Sequence, residues 1–418
     1  MQKPALLSDK RDAFIFAVAV FLLFFAHLAL RYGDYRKFVS LPFYFTNADV
    51  VNAYMKQKNG RRYQVLRLRS DEGLCFFTTT HHREDLSFKR IRLQIFPDER
   101  ISFSDYLGTF YVKSRIKKIT DGARVRKSLI AEKIADQHKA PMMRRFYNAV
   151  FLAEPLNGTD REIVTKLGIS HLVALSGLHL SVLWGLLYGL LSLLYRPIQQ
   201  RYFPFRYRFA DVGAVAMVLL GVYVWFVGAP PSLIRSYAMV VAGWLMLIFA
   251  LSLVRFDFLF VVTGILLFLF PHLAVSLGFW FSVAGVFYIF LLLKYGEDIH
   301  PLAMLFGVIP VGMFILMLPV VHAFFPTVSK CQLLSPLLSV LFTPFYPLSM
   351  SMHALGYGGA FDGILESLFT LECETTTLEV PLWALVGYLL ISAAAMKSYK
   401  AFVVTVAVAV SFAVWIYM

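Results

Sequence analysis

Charge is scarce in this chain. Only 16% of its 418 residues are Asp, Glu, Lys or Arg, while 58% are hydrophobic; a soluble domain carries about a quarter charged residues. An ordinary water-soluble globule is therefore excluded. Acids are scarcer than bases, 26 against 40, which leaves a formal charge of +14. Cysteine is nearly absent. Cys75, Cys331 and Cys373 are too few and too scattered for a disulfide framework or a zinc site. The one pairing left open is Cys75 with Cys373, provided both face the periplasm, and no residue pattern favours it. No phosphate loop of the form G-x-x-x-x-G-K-[ST] occurs, so ATP hydrolysis by that route is excluded.

What is present is a series of apolar runs long enough to cross a hydrocarbon core of about 30 Å as helices. The first, AFIFAVAVFLLFFAHLAL at 13–30, is followed by no small-residue cleavage site and reads as a retained anchor within residues 1–40. The others are 172–195, 209–227, 233–254, 257–275, 276–294, 302–325, 333–356, 381–396 and 401–417. Residues 41–120 contain no such run. RRYQVLRLRS (61–70), GLCFFTTT (73–80), FKRIRLQIF (88–96) and LGTFYVKSRIKKI (107–119) read as short strands, with Asn59-Gly60 and Asp71-Glu72-Gly73 as turns. Four or five strands in this length fit a small barrel of the oligonucleotide-binding (OB) type. Residues 121–170 follow as amphipathic surface helices, with Val125, Leu129, Ile130 and Ile134 at helical spacing. The expected fold is an α-helical polytopic membrane protein carrying a small all-β, OB-like periplasmic domain.

Orientation follows from short loops. Arg196, Arg201, Arg206 and Arg208 stand without an acid in 196–208, which places that loop in the cytoplasm and 41–150 in the periplasm. Counting forward, the acidic segment 357–380 becomes cytoplasmic, and Lys397 and Lys400 external, if every run spans. One non-spanning run reverses both. Run 333–356, interrupted by Pro336, Pro344 and Pro347, is the candidate. It is expected to be broken or re-entrant, because irregular backbone at membrane depth is tolerated where it is buried or lines a cavity.

Polar residues cluster at three places inside these runs. HLVALSGLHLS (171–181) puts Ser176 and His179 three apart, as on one helix face, beside Gly177. A helix–helix contact of small and hydrogen-bonding residues accounts for that pattern equally well. GAPPSLIRSYAM (228–239) breaks the chain at Pro230-Pro231 before Arg235 enters the next helix. A charge there usually faces a bundle interior or a water-filled path. FDFLFVVTGILLFLFPHLAVSLGFWFSVAG (256–285) runs from Asp257 through Pro271 to Ser282.

In order and separation these segments, with LPVVHAFFP and LLSPLLSVLFTPFYP at 318–347, resemble the ComEC competence-protein family over roughly residues 120–350. The resemblance implies a channel domain at 171–356, an acidic loop and terminal helices at 357–418, and translocation of single-stranded DNA from periplasm to cytoplasm during natural transformation. It assigns channel-lining or motif roles to His171, Ser176, Gly177, His179, Pro231, Ser232, Arg235, Asp257, Gly278 and Ser282. It implies no cofactor and no catalytic step. The implied partners are membrane lipid, a periplasmic DNA-receptor protein, a cytoplasmic helicase-type motor and single-strand-binding proteins. Many family members carry a metallo-β-lactamase-like domain; this chain has no His-x-His-x-Asp-His pattern, and His81-His82-Arg83-Glu84-Asp85 has the wrong spacing for a dimetal site. A single N-terminal span also stands where larger relatives are expected to have a hairpin.

Strand capture suits two basic runs. Lys56, Lys58, Arg61, Arg62, Arg67 and Arg69 lie between Asp49 and Asp71 with no acid among them, and Lys113, Arg115, Lys117 and Lys118 follow. Tyr54, Tyr63, Phe110 and Tyr111 are interleaved, so cations can track phosphates while rings stack on bases. A solvated basic face and core aromatics are the bland alternative. From other classes, an intramembrane serine hydrolase would use Ser176 with His322 or His353 as base, and a small-molecule transporter would use the helices alone.

Overall fold

The computed structural model describes residues 10–58, 61–82, 86, 89–121, 125–248 and 256–418. The Asn59-Gly60 turn and Arg83-Glu84-Asp85 lie outside these residues, as do the side chains of Lys58, Arg61 and Pro231. The chain divides into two units, one of Lys10–Lys133 with Gly264–Leu277, the other of Ile134–Thr263 with Gly278–Met418.

The first unit holds the long helix α1 (Lys10–Ser40) and a six-stranded sheet. Its strands are β1 (Tyr44–Lys58), β2 (Arg61–Ser70), β3 (Cys75–Thr80), β4 (Lys89–Phe96), β5 (Phe110–Tyr111) and β6 (Lys113–Asp121), in the order β5-β3-β2-β1-β4-β6. Helix α2 (Phe103–Leu107) is capped by Ser102, whose hydroxyl accepts from the Asp105 N–H at 3.1 Å. Alternation explains the burial. Leu66, Leu68, Ile91, Leu93 and Ile95 point inward and are buried with Ala48, Val50, Phe76 and Phe110, while the residues between them face out. Phe38, near the end of α1, joins that core, and the Tyr35 hydroxyl donates to the Ile101 carbonyl at 2.8 Å. The sheet therefore rests on the end of the anchor helix rather than hanging from a loose linker.

The second unit is helical. After α3 (Val125–Ala135), most of which belongs to the first unit, α4 (Pro141–Leu152), α5 (Gly158–Lys166) and α6 (Ser170–Val173) lead into α7 (Gly177–Tyr202), α8 (Arg208–Phe226), α9 (Pro231–Ile248), α10 (Phe256–Leu269), whose end belongs to the first unit, and α11 (Leu277–Tyr295). Then come α12 (Pro301–Ala303), joined through a π-helical turn at Met304–Val308 to α13 (Ile309–His322), and α14 (Ser335–Ala354), α15 (Asp362–Phe369), α16 (Leu382–Ala394) and α17 (Tyr399–Tyr417). Among the described residues, seven helices are long and apolar enough to cross a membrane, and Ser232–Ile248, Phe256–Leu269 and Leu382–Ala394 are shorter apolar helices. This is a multi-pass membrane protein with a small β region. Small residues bring its helices close. A Cβ on Gly213 of α8 would clash with the Trp244 indole of α9, so that crossing favours glycine.

Two expectations change. Run 333–356 is not broken: α14 is continuous, with Pro336 in the first turn, where no hydrogen bond is lost, and Pro344 and Pro347 inside. Cysteine pairing also differs, since Cys373 bonds to Cys331 and Cys75 is free. That bridge, together with β7 (Thr327–Ser329) pairing antiparallel to β8 (Thr375–Thr377), holds the chain before α14 against the chain after α15. The Tyr417 hydroxyl donates to Gln332 Oε1 at 3.0 Å at the same end of the bundle. At the other end, Lys294 Nζ donates to the Met396 carbonyl and the Tyr295 hydroxyl to the Ala395 carbonyl, both at 2.6 Å. The end of α11 and the α16–α17 turn thus share one side. Lys330–Ala354, which includes α14, is one of the seven helices long and apolar enough to cross a membrane.

Candidate functional site

The HLVALSGLHLS segment folds as a break followed by a helix start. Residues 170–173 form the single turn α6, Ala174 is extended, and α7 begins at Gly177 with Ser176 as its N-cap at φ −133°, ψ −178°. Ser176 and His179 therefore do not share a helix face. They make a reciprocal cap in which the Ser176 N–H donates to His179 Nδ1 at 3.2 Å and the Ser176 hydroxyl meets the same nitrogen at 3.2 Å. The imidazole stands where Glu or Gln usually stands.

Around this start four helices converge. His179 is fully buried, with its ring edge-on to Phe342 at 5.0 Å and Tyr346 at 4.7 Å, both on α14. Gly177 faces Ser236 of α9, whose hydroxyl would lie 3.6 Å from an added Cβ and donates to the Ser232 carbonyl at 2.9 Å. The neighbouring Arg235 is buried at 6% exposure, its guanidinium 6.0 Å from the Phe279 ring of α11. Its Nε makes no hydrogen bond, and no carboxylate among the described residues pairs with it. Ser282 lies one turn beyond Phe279 on α11. His171 meets the Ser339 hydroxyl of α14 at 3.2 Å, and the Ser335 hydroxyl donates to the Gly168 carbonyl at 3.0 Å. Gly168 sits at φ +69°, a left-handed turn against α14 that suits glycine. Thus Gly177, His179, Ser232 and Arg235 lie on one run of neighbouring contacts, and only spacing along α11 relates Ser282 to it. Asp257 lies in the first turn of α10, and Gly278 is exposed at the start of α11.

The arrangement is a polar, small-residue junction with a buried cation that no anion among the described residues neutralises. It can present a positive charge and a helix start to an anion; a Ser–His–acid triad it does not make. Among the described residues, the Ser176 hydroxyl is bonded to His179. His322 is engaged with the Phe325 carbonyl at 3.1 Å, and His353 with the Ser349 carbonyl at 2.6 Å, so neither base required by the hydrolase alternative is bonded to Ser176.

The basic residues sort by strand register. Arg67 opposes Asn52 and Phe77, Arg69 opposes Asp49 and Cys75, Arg92 opposes Asn47 and Lys118, and Arg115 opposes Gln94. Residues directly opposite share a face, so Arg67, Arg69, Arg92, Arg115 and Lys118 occupy the face away from the core, with Lys113 beside Phe96. Lys56 and Tyr63 oppose one another on that same side of the hairpin, whereas Arg62 opposes Gln57 on the other. Lys117 is the extra residue where the β4–β6 register shifts. Arg90 shares the outer face but is held by Asp71 at 2.6 and 2.8 Å. Burial alone would raise the Glu72 carboxyl, but hydrogen bonds led by the Thr46 hydroxyl at 2.8 Å outweigh it and hold that acid below its ordinary range. Phe110 is core, stacked on Phe76, so it offers no base platform; Tyr111 is exposed.

No curated protein and no solved structure matches the chain. The family model described as Competence protein matches residues 154–418, which takes in the whole junction of α7, α9, α11 and α14 and extends beyond the resemblance seen in the sequence to its last residue. A match over well more than half the length, centred on these residues, makes the chain a member of the competence protein family.

Proposed function

We propose that this protein carries single-stranded DNA through the inner membrane from periplasm to cytoplasm, with the β unit capturing the strand and the helical unit conducting it, and with no catalytic step of its own. Family membership connects the chain to DNA uptake in natural transformation. The observation that carries the finer reading is the row of Arg67, Arg69, Arg92, Arg115 and Lys118 on one outward face of the sheet. Arg67 lies over the Phe77 ring at 5.9 Å and Lys56 over Tyr54 at 5.8 Å, so cations and aromatic faces alternate there as non-specific strand binding requires.

Strand order supports an OB-like barrel for this unit. β5 and β6 stand at opposite edges of the order but are separated in the chain by Val112 alone. The Thr78 and Ser114 hydroxyls bond across β3 and β6 at 2.8 Å. The positive-inside rule supports a cytoplasmic 196–208 loop, where Arg196, Arg201 and Arg206 are exposed. With the re-entrant segment counted as no crossing, Lys397 also falls inside and the Cys331–Cys373 bridge outside, where disulfides persist. A periplasmic receptor would hand over the strand, and a helicase-type motor with single-strand-binding proteins would draw it in.

The purified full chain should bind single-stranded DNA with weak sequence preference, its affinity falling log-linearly with salt. Each lost phosphate contact should flatten that slope by about 0.7, so replacing Arg67, Arg69, Arg92 and Lys118 with Gln should flatten it substantially. An unchanged slope removes the sheet face from capture. In cells, deletion should leave DNA in the periplasm and none in the cytoplasm; loss at both places would put the defect upstream of this protein.

A further inference from the structure

The helical unit holds a polar cluster that strand transport does not use. His138 lies in the turn between α3 and α4, His353 at the end of α14 and Asp362 at the start of α15. His138 Nδ1 is 3.0 Å from both Asp362 carboxyl oxygens, its Nε2 is 2.9 Å from His353 Nε2, and His353 Nδ1 is 2.6 Å from the Ser349 carbonyl. The His138 side chain is fully buried and Asp362 keeps 18% exposure. Tyr147 stacks on His138 at 4.4 Å, its phenol pushed up by burial and then by the Asp362 charge, so it stays protonated. Gln137 braces the cluster, donating to the His353 carbonyl at 3.2 Å and accepting from the Gly358 N–H at 2.8 Å.

Donors and acceptors fix the hydrogen count. A carbonyl only accepts, so His353 Nδ1 carries a hydrogen. An ionised carboxylate only accepts, so His138 Nδ1 carries one as well. If both rings were neutral, their remaining nitrogens would face each other at 2.9 Å as two lone pairs in a buried place, each an unsatisfied acceptor. Something electrophilic must lie between them. A metal ion fits poorly: Zn–N bonds of about 2.0–2.1 Å at a tetrahedral angle hold two nitrogens about 3.3 Å apart. No group of three metal-ligating side chains among the described residues is placed to hold a metal ion. A hydrogen fits, since 2.9 Å is an ordinary N–H···N distance.

Charge agrees with geometry. Two neutral imidazoles and a carboxylate would bury one negative charge, and one more proton makes the set neutral. If the Asp362 carboxyl held that proton and donated to His138, the total would be the same. Arg144 Nε also donates to the His138 carbonyl at 2.8 Å, while Asp362 contacts the ring itself. We propose that His138, His353 and Asp362 bind one proton in common, holding three hydrogens along their three contacts, and that this proton pins the connection between α14 and α15 to the α3–α4 turn.

The test uses the full chain in lipid nanodiscs, labelled with 15N at histidine and 13C at the aspartate carboxyl. At neutral pH the ring and carboxyl shifts should account for three hydrogens, one of them coupling the two Nε2 atoms. His353→Leu should remove that coupling and speed amide hydrogen exchange across α15 about tenfold, the scale expected when one buried partner is lost. Two neutral rings with an ionised Asp362 would overturn the shared proton. So would one equivalent of zinc or another transition metal that is lost on His138→Ala. Unchanged exchange in His353→Leu would overturn the pinning.

Discussion

Replacing Arg235 with Met should abolish delivery of DNA to the cytoplasm while the protein accumulates in the membrane at least as well as before. The two halves of that expectation have one cause. Arg235 is buried in the α7–α9–α11 junction with no carboxylate partner among the described residues and no hydrogen bond at Nε. A charged side chain at membrane depth costs about 2.5–3.5 kcal/mol even on the mildest scale, and the Phe279 ring at 6.0 Å offsets only part of that. Met fills a similar volume without the cost, so the bundle should be no less stable. A phosphate entering the junction, however, meets no counter-charge and faces an apolar wall. Lys should restore transport only partly, because it supplies a point charge without the planar fork that grips two phosphate oxygens. Uptake into the periplasm should be normal in both variants. Full cytoplasmic delivery in the Met variant would show that Arg235 is a packing residue and the path lies elsewhere.

The sequence makes the spanning helices and most of the sheet legible, and the places where it does not share a physical reason. β4 alternates, β2, β3 and β6 alternate over part of their length, and the expected strands overlap all four. β1 is harder to see because its register shifts between Val50 and Asn52, so its apolar residues change face part-way along and no single period survives. The start of α7 is hidden for a related reason: the apolar run 172–195 passes through the break at Ala174–Ser176, where Ser176 and His179 read equally well as one helix face, and the cap uses His179 in place of Glu or Gln. The junction was half legible, since each motif is local but their convergence is not. His138, His353 and Asp362 are 215 and 224 residues apart, and no local spacing links them. Nor does the number of cysteines say which two pair.

Removing the Cys331–Cys373 bridge should destabilise the helical unit more than any single packing change. The bridge closes a loop with a sequence separation of 42 residues, and a cross-link of that span removes about 4 kcal/mol of chain entropy from the unfolded state. That is a large part of the stability of a typical protein, about 5–15 kcal/mol. What the bridge encloses makes the loss specific. It ties the start of α14 to the segment after α15, beside the short β7–β8 pair, so only hydrogen bonds and packing would then hold those segments together. Cys331→Ser with Cys373→Ser should therefore lower the unfolding midpoint and speed amide exchange through α14 and α15, leaving the sheet unit unchanged. The same cysteines report sidedness. With Cys75 replaced by Ser, an impermeant thiol reagent added from outside should label Cys373 in the Cys331→Ser variant and a cysteine placed at Glu366, which is exposed on α15. It should leave cysteines at Arg201 and Lys397 untouched. Labelling at Lys397 with protection at Glu366 would mean that α14 crosses the membrane, against the contacts of Lys294 and Tyr295 with the α16–α17 turn, and would overturn the re-entrant path.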